Sequence, residues 1–267
     1  MRQVLNKSRV LLEVWFSHMS AYRAEIVIWI LTGSVPLIML AVWIGQAQAA
    51  GGAIGEFTPQ RFTAYFLAAW MSQQLIVSWV SWELDFQIRQ GTLSPKLLRP
   101  LDIFWEHWFA HVAERFIRIP IMLVVVIAGI LLVPGTQITP DLPHAVVYFI
   151  SIQLGWLIRF QIAYCIGLLA FWFDQATAVD ELYFVIAAFL TGAFAPLELY
   201  PPAVRAIIEW LPFPYTIYYP VQILNGSIGW DVIGRILLIQ IGWGVAFVGI
   251  RRLLWRQGVR RYGAVGA

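Results

Sequence analysis

Long apolar runs alternate with short polar stretches along the 267-residue chain. A run of about twenty apolar residues is long enough to cross the hydrocarbon core of a bilayer as a helix. The pattern predicts six such spans, at about 25–45, 60–82, 115–133, 144–172, 178–195 and 232–250. We therefore expect an all-α membrane protein with a single transmembrane domain over residues 25–267.

The N-terminal segment, residues 1–24, has a different pattern. Polar residues recur at three- and four-residue steps between Arg2 and Ser20, while leucines, valines and aromatic residues fill the opposite helical face. A helix of this kind lies in the membrane interface and does not cross it. We predict an amphipathic interfacial helix at about 2–22.

The segment 196–231 contains six prolines and little continuous helical pattern. Its one helical piece, about 202–211, is too short to span a bilayer and too apolar to stand free in water. We interpret this segment as a re-entrant or interfacial hairpin on the outer side of the membrane.

Composition and charge support a membrane protein and indicate its orientation. The chain is 60% hydrophobic and 12% charged, with a mean hydropathy of +0.72, whereas soluble domains are roughly 25% charged. The net charge of +3 comes from residues between apolar runs and at the chain ends, which excludes a basic nucleic-acid-binding face. With both termini cytoplasmic, the positive-inside rule is met by 14 of the 18 basic residues: Arg2, Lys7, Arg9, Arg23, Arg89, Lys96, Arg99, Arg115, Arg118, Arg251, Arg252, Arg256, Arg260 and Arg261.

The loop at 83–105 combines basic and apolar residues. Helix is expected to continue from Glu83 to Gln90 and to stop at Gly91. The proline-bounded segment from Ser94 to Leu101 then follows. A plain cytoplasmic loop needs no leucines, so those at 97, 98 and 101 favour a surface that docks onto another protein.

Arg159, Gln73 and Gln74 are polar residues near the middle of predicted spans. An arginine inside a bilayer is costly unless it faces protein or water and has a partner. The candidate partners of Arg159 are Asp180, Glu181, Glu83 and Asp85. The three residues fit a translocation pathway or subunit interface, and equally fit plain hydrogen bonds between helices.

The sequence offers little for catalysis. Neither of its two lysines, Lys7 and Lys96, follows a glycine, so the chain has no P-loop and needs a partner for ATP-driven work.

His107 and His111, one helical turn apart and near Glu106 and Glu114, could bind a metal in a membrane enzyme. An interfacial helix with polar residues facing water is the simpler interpretation. An ATP-independent channel or transporter is a further alternative, although the two related halves typical of such proteins are not found.

A set of short motifs spread over nearly the whole chain resembles one transporter family. They are Ala21-Tyr22-Arg23-Ala24, Trp82-Glu83-Leu84, Ile88-Arg89-Gln90-Gly91-Thr92-Leu93, Leu97-Leu98-Arg99-Pro100-Leu101, Arg159-Phe160, Ala170-Phe171-Trp172, Pro196-Leu197, Leu211-Pro212-Phe213-Pro214-Tyr215, Pro220-Val221-Gln222 and the tail from Trp255 to Gly266. Together they resemble the ABC-2 type transporter permeases, in particular a bacterial subgroup of paired, poorly characterised permease subunits.

The resemblance implies an ABC-2 exporter type of fold, with an interfacial elbow helix, six spans, an outer re-entrant hairpin and both termini cytoplasmic. It implies a non-catalytic permease subunit in the bacterial inner membrane that exports a lipid, glycan, drug or peptide-like substrate. The partners would be a pair of ABC ATPase subunits, which bind the ATP and magnesium, and a second permease, with a heterodimer favoured over a homodimer. No cofactor is expected on this chain. A coupling helix would lie in 83–105, and its expected residues are Arg89, Gly91, Leu93, Lys96, Leu97, Leu98, Arg99 and Pro100.

Overall fold

The computed structural model describes residues 2–21, 27–30, 33–136, 138 and 141–263, and these are almost entirely helical. Within them the only β pairing is an isolated bridge between Ile54 and Phe57. We number their long and short α-helices as follows: α1 Arg2–Ala21, α2 Val35–Ala49, α3 Pro59–Ile76, α4 Val80–Arg89, α5 Leu93–Leu97, α6 Ile103–Leu132, α7 Leu142–Leu168, α8 Ala176–Leu190, α9 Pro202–Ile208, α10 Tyr218–Leu224 and α11 Trp230–Arg261. Residues 22–26, where the first predicted span begins, and the tail after 263 lie outside the described residues.

Four helical stretches of the described chain are long and apolar enough to cross a membrane: Val27–Ala49, Ile103–Leu132, Leu142–Phe171 and Trp230–Arg261. The all-helical prediction is confirmed. The other two predicted spans, 60–82 and 178–195, fall on the shorter helices α3 and α8.

Helix α7 is the centre of the bundle and packs against α3, α4, α8, α10 and α11. Its most apolar window is 72% buried, whereas the other three candidate spans are 12–22% buried. Two glycines allow the close approach. A Cβ atom on Gly167 would lie 2.9 Å from the Cβ of Leu84 in α4, and one on Gly155 would lie 3.0 Å from the carbonyl oxygen of Thr216. Both contacts are tighter than a larger residue tolerates.

The predicted second span does not run on as one helix. Helix α3 ends at Ile76, Val77 is extended with ψ of 142°, and α4 starts at Val80. The first amides of a helix have no carbonyl partner within it. Here the Trp79 N–H donates to Nε2 of His111 in α6 over 2.9 Å, so the break is stabilised from a neighbouring helix.

Two helices extend further than the hydropathy pattern predicted. Helix α6 starts at Ile103, although the third span was expected from about 115, and α11 continues to Arg261, beyond the expected end near 250. At 1.5 Å per residue each is roughly 45 Å long, against about 30 Å for the hydrocarbon core. The surplus lies at one end of the bundle, together with α5. We call this the α5 end, and the end formed by residues 50–58 and 191–229 the far end.

Helix α1 packs along α6. Its Trp15 shares a pocket with Trp82 of α4 and with Glu106 and His107 of α6. The exposed Arg9 and Glu13 form an ion pair with a nitrogen–oxygen distance of 2.7 Å. An amphipathic helix therefore lies beside the first turns of α6, at the α5 end.

Candidate functional site

Helix α5 joins α4 to α6 and is anchored on its inner side. Gly91, with φ of +72°, makes the turn after α4, in the left-handed conformation that glycine favours. Leu93 is completely buried in the main apolar core. The Ser94 hydroxyl lies 3.2 Å from that of Tyr262, just after α11, and Lys96 pairs with Glu106 of α6 at 2.7 Å. The short helix is thus fixed to three of its neighbours.

The other side of α5 is open. Leu97, Leu98, Arg99 and Pro100 are exposed, and Leu98 is 89% exposed. A leucine on a rigid base that contacts almost nothing in its own chain is typical of a protein–protein contact. Two of the predicted coupling residues are thus buried or half-buried anchors, Leu93 and Lys96. Gly91 forms the turn, and Arg89 donates to Asp85 within α4.

The anchoring of α5 depends on a contact that the sequence analysis did not identify. Gly258 of α11 lies against the ring of Phe171, in the 3₁₀ turn 169–171 after α7, and a Cβ on Gly258 would come within 2.1 Å of that ring. Phe171 also packs edge-on against Tyr262, with ring centroids 5.6 Å apart. The last turns of α11 therefore connect α7 to α5. In the sequence, this contact was indicated by Gly258, a glycine within an amphipathic helical tail.

A second feature is a cavity of about 390 Å³ between the α3–α4 break, α7 and α8. Most of its lining is apolar, but Gln73, Ser78, Arg159 and Asp180 also border it. Arg159 Nη2 lies 3.4 Å from Asp180 Oδ1, and the guanidinium carbon lies 4.3 Å from the centroid of the Tyr183 ring. Asp180 is therefore the partner of Arg159 among the four carboxylates considered from the sequence.

Several buried polar atoms around this cavity have no hydrogen-bond partner among the described residues: Gln73 Oε1, Ser78 Oγ and Arg159 Nη1. Buried polar groups without partners are costly, and in native proteins such groups usually pair with ordered water, an ion or another bound molecule. These three atoms provide one donor, one acceptor and one hydroxyl, so the cavity can bind a molecule that is mostly apolar and carries a polar group.

Gln74 does not line this cavity, although it is adjacent to Gln73 in sequence. Its side-chain oxygen accepts from Arg118 Nη1 over 2.7 Å, and its Nε2 donates to the Ile30 carbonyl over 3.2 Å. Arg118 is 1% exposed and also pairs with Glu114 one turn earlier in α6. The structure therefore places Arg118 inside the helix bundle, between α6 and α3.

Arg115 is also inside α6. Its guanidinium lies 3.6 Å from the centroid of the Trp156 ring and donates to Gln153 Oε1 over 2.7 Å. Arg115 and Arg118 thus both lie within α6, which begins earlier than the hydropathy pattern indicates.

The two histidines considered for metal binding have structural partners. His111 accepts at Nε2 from the Trp79 amide, and its Nδ1 lies 2.7 Å from the His107 carbonyl, which implies that Nδ1 carries the proton. His107 Nδ1 lies 3.0 Å from Glu83 Oε2. Across the part of the chain that the structure describes, no three His, Cys, Asp or Glu side chains are grouped to hold a metal. The geometry gives His111 the role of stabilising the α3–α4 break.

A protein-family model described as ABC-2 family transporter protein matches residues 34–266, which is most of the chain. No curated protein gives a significant match. The matched region includes α2 to α11, and so contains both the α5 surface and the cavity at Arg159.

Proposed function

Because the chain belongs to the ABC-2 transporter family and is a membrane permease subunit of an ABC transporter, we propose that α5 couples it to a partner ATPase. ATP and magnesium bind to that partner, and this chain supplies the membrane passage. The observation that carries the proposal is the contrast between Leu93, which is buried at the start of α5, and Leu98, which directly follows α5 and is 89% exposed. A helix that transmits force from a partner protein needs an exposed surface that contacts the partner and a rigid connection to the rest of its own chain.

The rigid connection runs from α5 into the helices that form the bundle. Leu93 belongs to the apolar core that also contains Ile88 of α4 and Phe171 after α7, and the Ser94–Tyr262 contact adds the end of α11. Displacement of α5 by a partner therefore moves packed helices as a unit, because close-packed interiors transmit strain and do not absorb it. The α5 end is the cytoplasmic end in this proposal.

We propose six spans, with α3 and α8 crossing together with the four long helices, and with both termini cytoplasmic. Helix α3 would be about 27 Å long and α8 about 22 Å at 1.5 Å per residue. Most of α3 is buried by other helices, so it contacts little lipid and needs less apolar composition than an exposed span. The even number of crossings agrees with the basic residues near the described ends of the chain.

The cavity bordered by Arg159 and Gln73 is the proposed element of the transport pathway or of the contact with a second permease. Helix α8 supports either role, since Leu182, Val185 and Phe189 on its surface are exposed and are covered either by lipid or by another chain. The transported molecule in this proposal is amphipathic, within the lipid, glycan, drug and peptide-like classes, and is exported across the bacterial inner membrane. The second permease is a different chain, as the resemblance to paired subunits suggests.

Affinity purification of the tagged chain from native membranes in mild detergent tests this proposal. We expect an ABC ATPase in near-stoichiometric amount, together with a second permease. Recovery of the chain without any ATPase, under conditions that preserve a known ABC transporter from the same membranes, would contradict it.

A further inference from the structure

A groove of about 440 Å³ lies at the α5 end between α6, α7 and α11, on residues that the proposed function does not use. Three arginines and three tryptophans border it, and we call it the Arg–Trp groove: Arg251, Arg252, Arg256, Trp105, Trp108 and Trp255. The arginines come from one helix and two of the tryptophans from another. The groove is therefore made by packing and not by a local run of charge.

The arginines are not neutralised within the described chain. None of the three forms an ion pair with a described carboxylate, and Arg251 Nε is buried without a hydrogen-bond partner there. Arg251 is held in place by aromatic rings, since its guanidinium carbon lies 4.1 Å from the centroid of the Phe104 ring. The one acidic residue in the lining is Asp102, whose carboxylate accepts from the Phe104 amide over 2.9 Å at the start of α6. With three arginines and one carboxylate, the lining of the groove has a net positive charge.

A further polar group lies in the lining without a partner. Gln161 of α7 is 1% exposed, and its Oε1 has no hydrogen-bond partner among the described residues. A side-chain amide presents either its oxygen or its NH₂ group after a half-turn. In the orientation that places its NH₂ group where the unpartnered oxygen lies, Gln161 would donate to an anionic oxygen that enters the groove.

The position of the groove along the candidate spans predicts that it lies near the membrane interface. It borders the first turns of α6 and the last turns of α11, both of which are candidate spans. The amphipathic helix α1 packs along α6, with Trp15 beside Glu106 and His107. Tryptophans concentrate at the level of lipid headgroups, and arginine forks bind phosphate oxygens in a bidentate geometry.

We propose that the Arg–Trp groove binds the headgroup of an anionic phospholipid of the leaflet at the α5 end. The arginines hold the phosphate, Gln161 donates a further hydrogen bond, and the tryptophans pack against the glycerol and upper acyl region. Because the groove lies on α11, whose last turns contact Phe171 and α5, a bound lipid stabilises the base on which α5 stands.

The test uses the purified full-length chain and two variants with equal loss of charge on the same helix. In Arg252→Gln/Arg256→Gln the two exposed arginines of the groove are removed, and in Arg260→Gln/Arg261→Gln two exposed arginines outside its lining are removed. The melting temperature in detergent is measured while phosphatidylglycerol, phosphatidylcholine or inorganic phosphate is added. Lipid retained through purification is measured by mass spectrometry.

We expect phosphatidylglycerol alone to raise the melting temperature of the unsubstituted chain and of the 260/261 variant. In the 252/256 variant the concentration for half the effect should rise about 25-fold, since each arginine near an anionic lipid contributes about fivefold. Equal responses of the two variants, or an equal effect of phosphatidylcholine, would overturn the proposal. An equal effect of inorganic phosphate would assign the groove to a free anion. Because these measurements need no ATPase, they fail or succeed separately from the proposed function.

Discussion

Arg118 in α6 and Arg159 in α7 are both arginines inside long apolar helices, and they are held in opposite ways. Arg118 is 1% exposed and pairs with Glu114 and Gln74, so that all three of its nitrogens are used. Arg159 has one ion pair, 3.4 Å from Asp180, and its Nη1 has no described partner at the edge of a cavity. A fully paired charge fixes helices together, whereas a partly paired charge beside open space is available to bind something else.

Removal of the fully paired Arg118 should lower the stability of the protein more than any other substitution considered below. Arg118→Met leaves Glu114 buried without its counter-charge, which costs about 3–5 kcal/mol. We expect a large loss of folded protein, measured by size-exclusion chromatography and thermal unfolding in detergent. The double variant Arg118→Met/Glu114→Met removes both charges and should recover most of the folded yield. A single variant as stable as the unsubstituted chain would show that the pair has no structural role.

Replacement of Arg159 should lower stability less than replacement of Arg118, and should impair transport or assembly. Arg159→Leu leaves Asp180 with a partner, since the Trp82 indole N–H donates to it over 3.2 Å. Because that donor remains and the Arg159–Asp180 pair is a single contact at 3.4 Å, we expect a smaller loss of folded protein than for Arg118→Met, together with a loss of transport or of assembly with the second permease. Arg159→Lys keeps the charge, loses the stacking on Tyr183, and should be intermediate. If Arg159→Leu preserved both transport and assembly, the cavity would have no role in either.

The smallest changes in stability are expected for two adjacent glutamines of α3, Gln73 and Gln74. Gln74→Ala removes the acceptor of Arg118 Nη1 and should cost about 1–3 kcal/mol of stability. Gln73→Ala removes an oxygen that has no described partner, and should leave the unfolding temperature almost unchanged while altering the response to substrate. The two variants serve as controls for each other in one thermal-unfolding series. A Gln73 variant as destabilised as the Gln74 variant would remove the distinction.

Much of the fold could be predicted from hydropathy, because α2, α6 and α11 expose long apolar surfaces and α7 is apolar where it packs in the centre of the bundle. The break at 77–79 could not, since it contains neither glycine nor proline and depends on His111 from another helix. The early start of α6 was missed because residues 103–114 include Glu106, His107, His111 and Glu114, which lower the average hydropathy. The structure nevertheless buries His107, His111 and Glu114 against neighbouring helices.

The two arginines show why the candidate site could be predicted only in part. Both lie in apolar surroundings, so hydropathy treats them alike. The i,i+4 spacing of Glu114 and Arg118 was a usable signal of pairing within one helix. The partner of Arg159 is 21 positions away, and the sequence offered four carboxylates as equally good candidates for that partner. Which of Gln73 and Gln74 faces the cavity depends on the rotation of α3, which its weak amphipathic pattern does not fix.

The account depends most on the claim that α5 is the surface that meets an ATPase. A photo-crosslinking amino acid in place of Leu98, which is 89% exposed at the α5 end, tests it in native membranes. The matched control is the same amino acid in place of Trp210, which is 82% exposed at the far end. The account predicts an adduct with an ABC ATPase from position 98 and none from position 210. No ATPase adduct from position 98, or equal adducts from both positions, would contradict it.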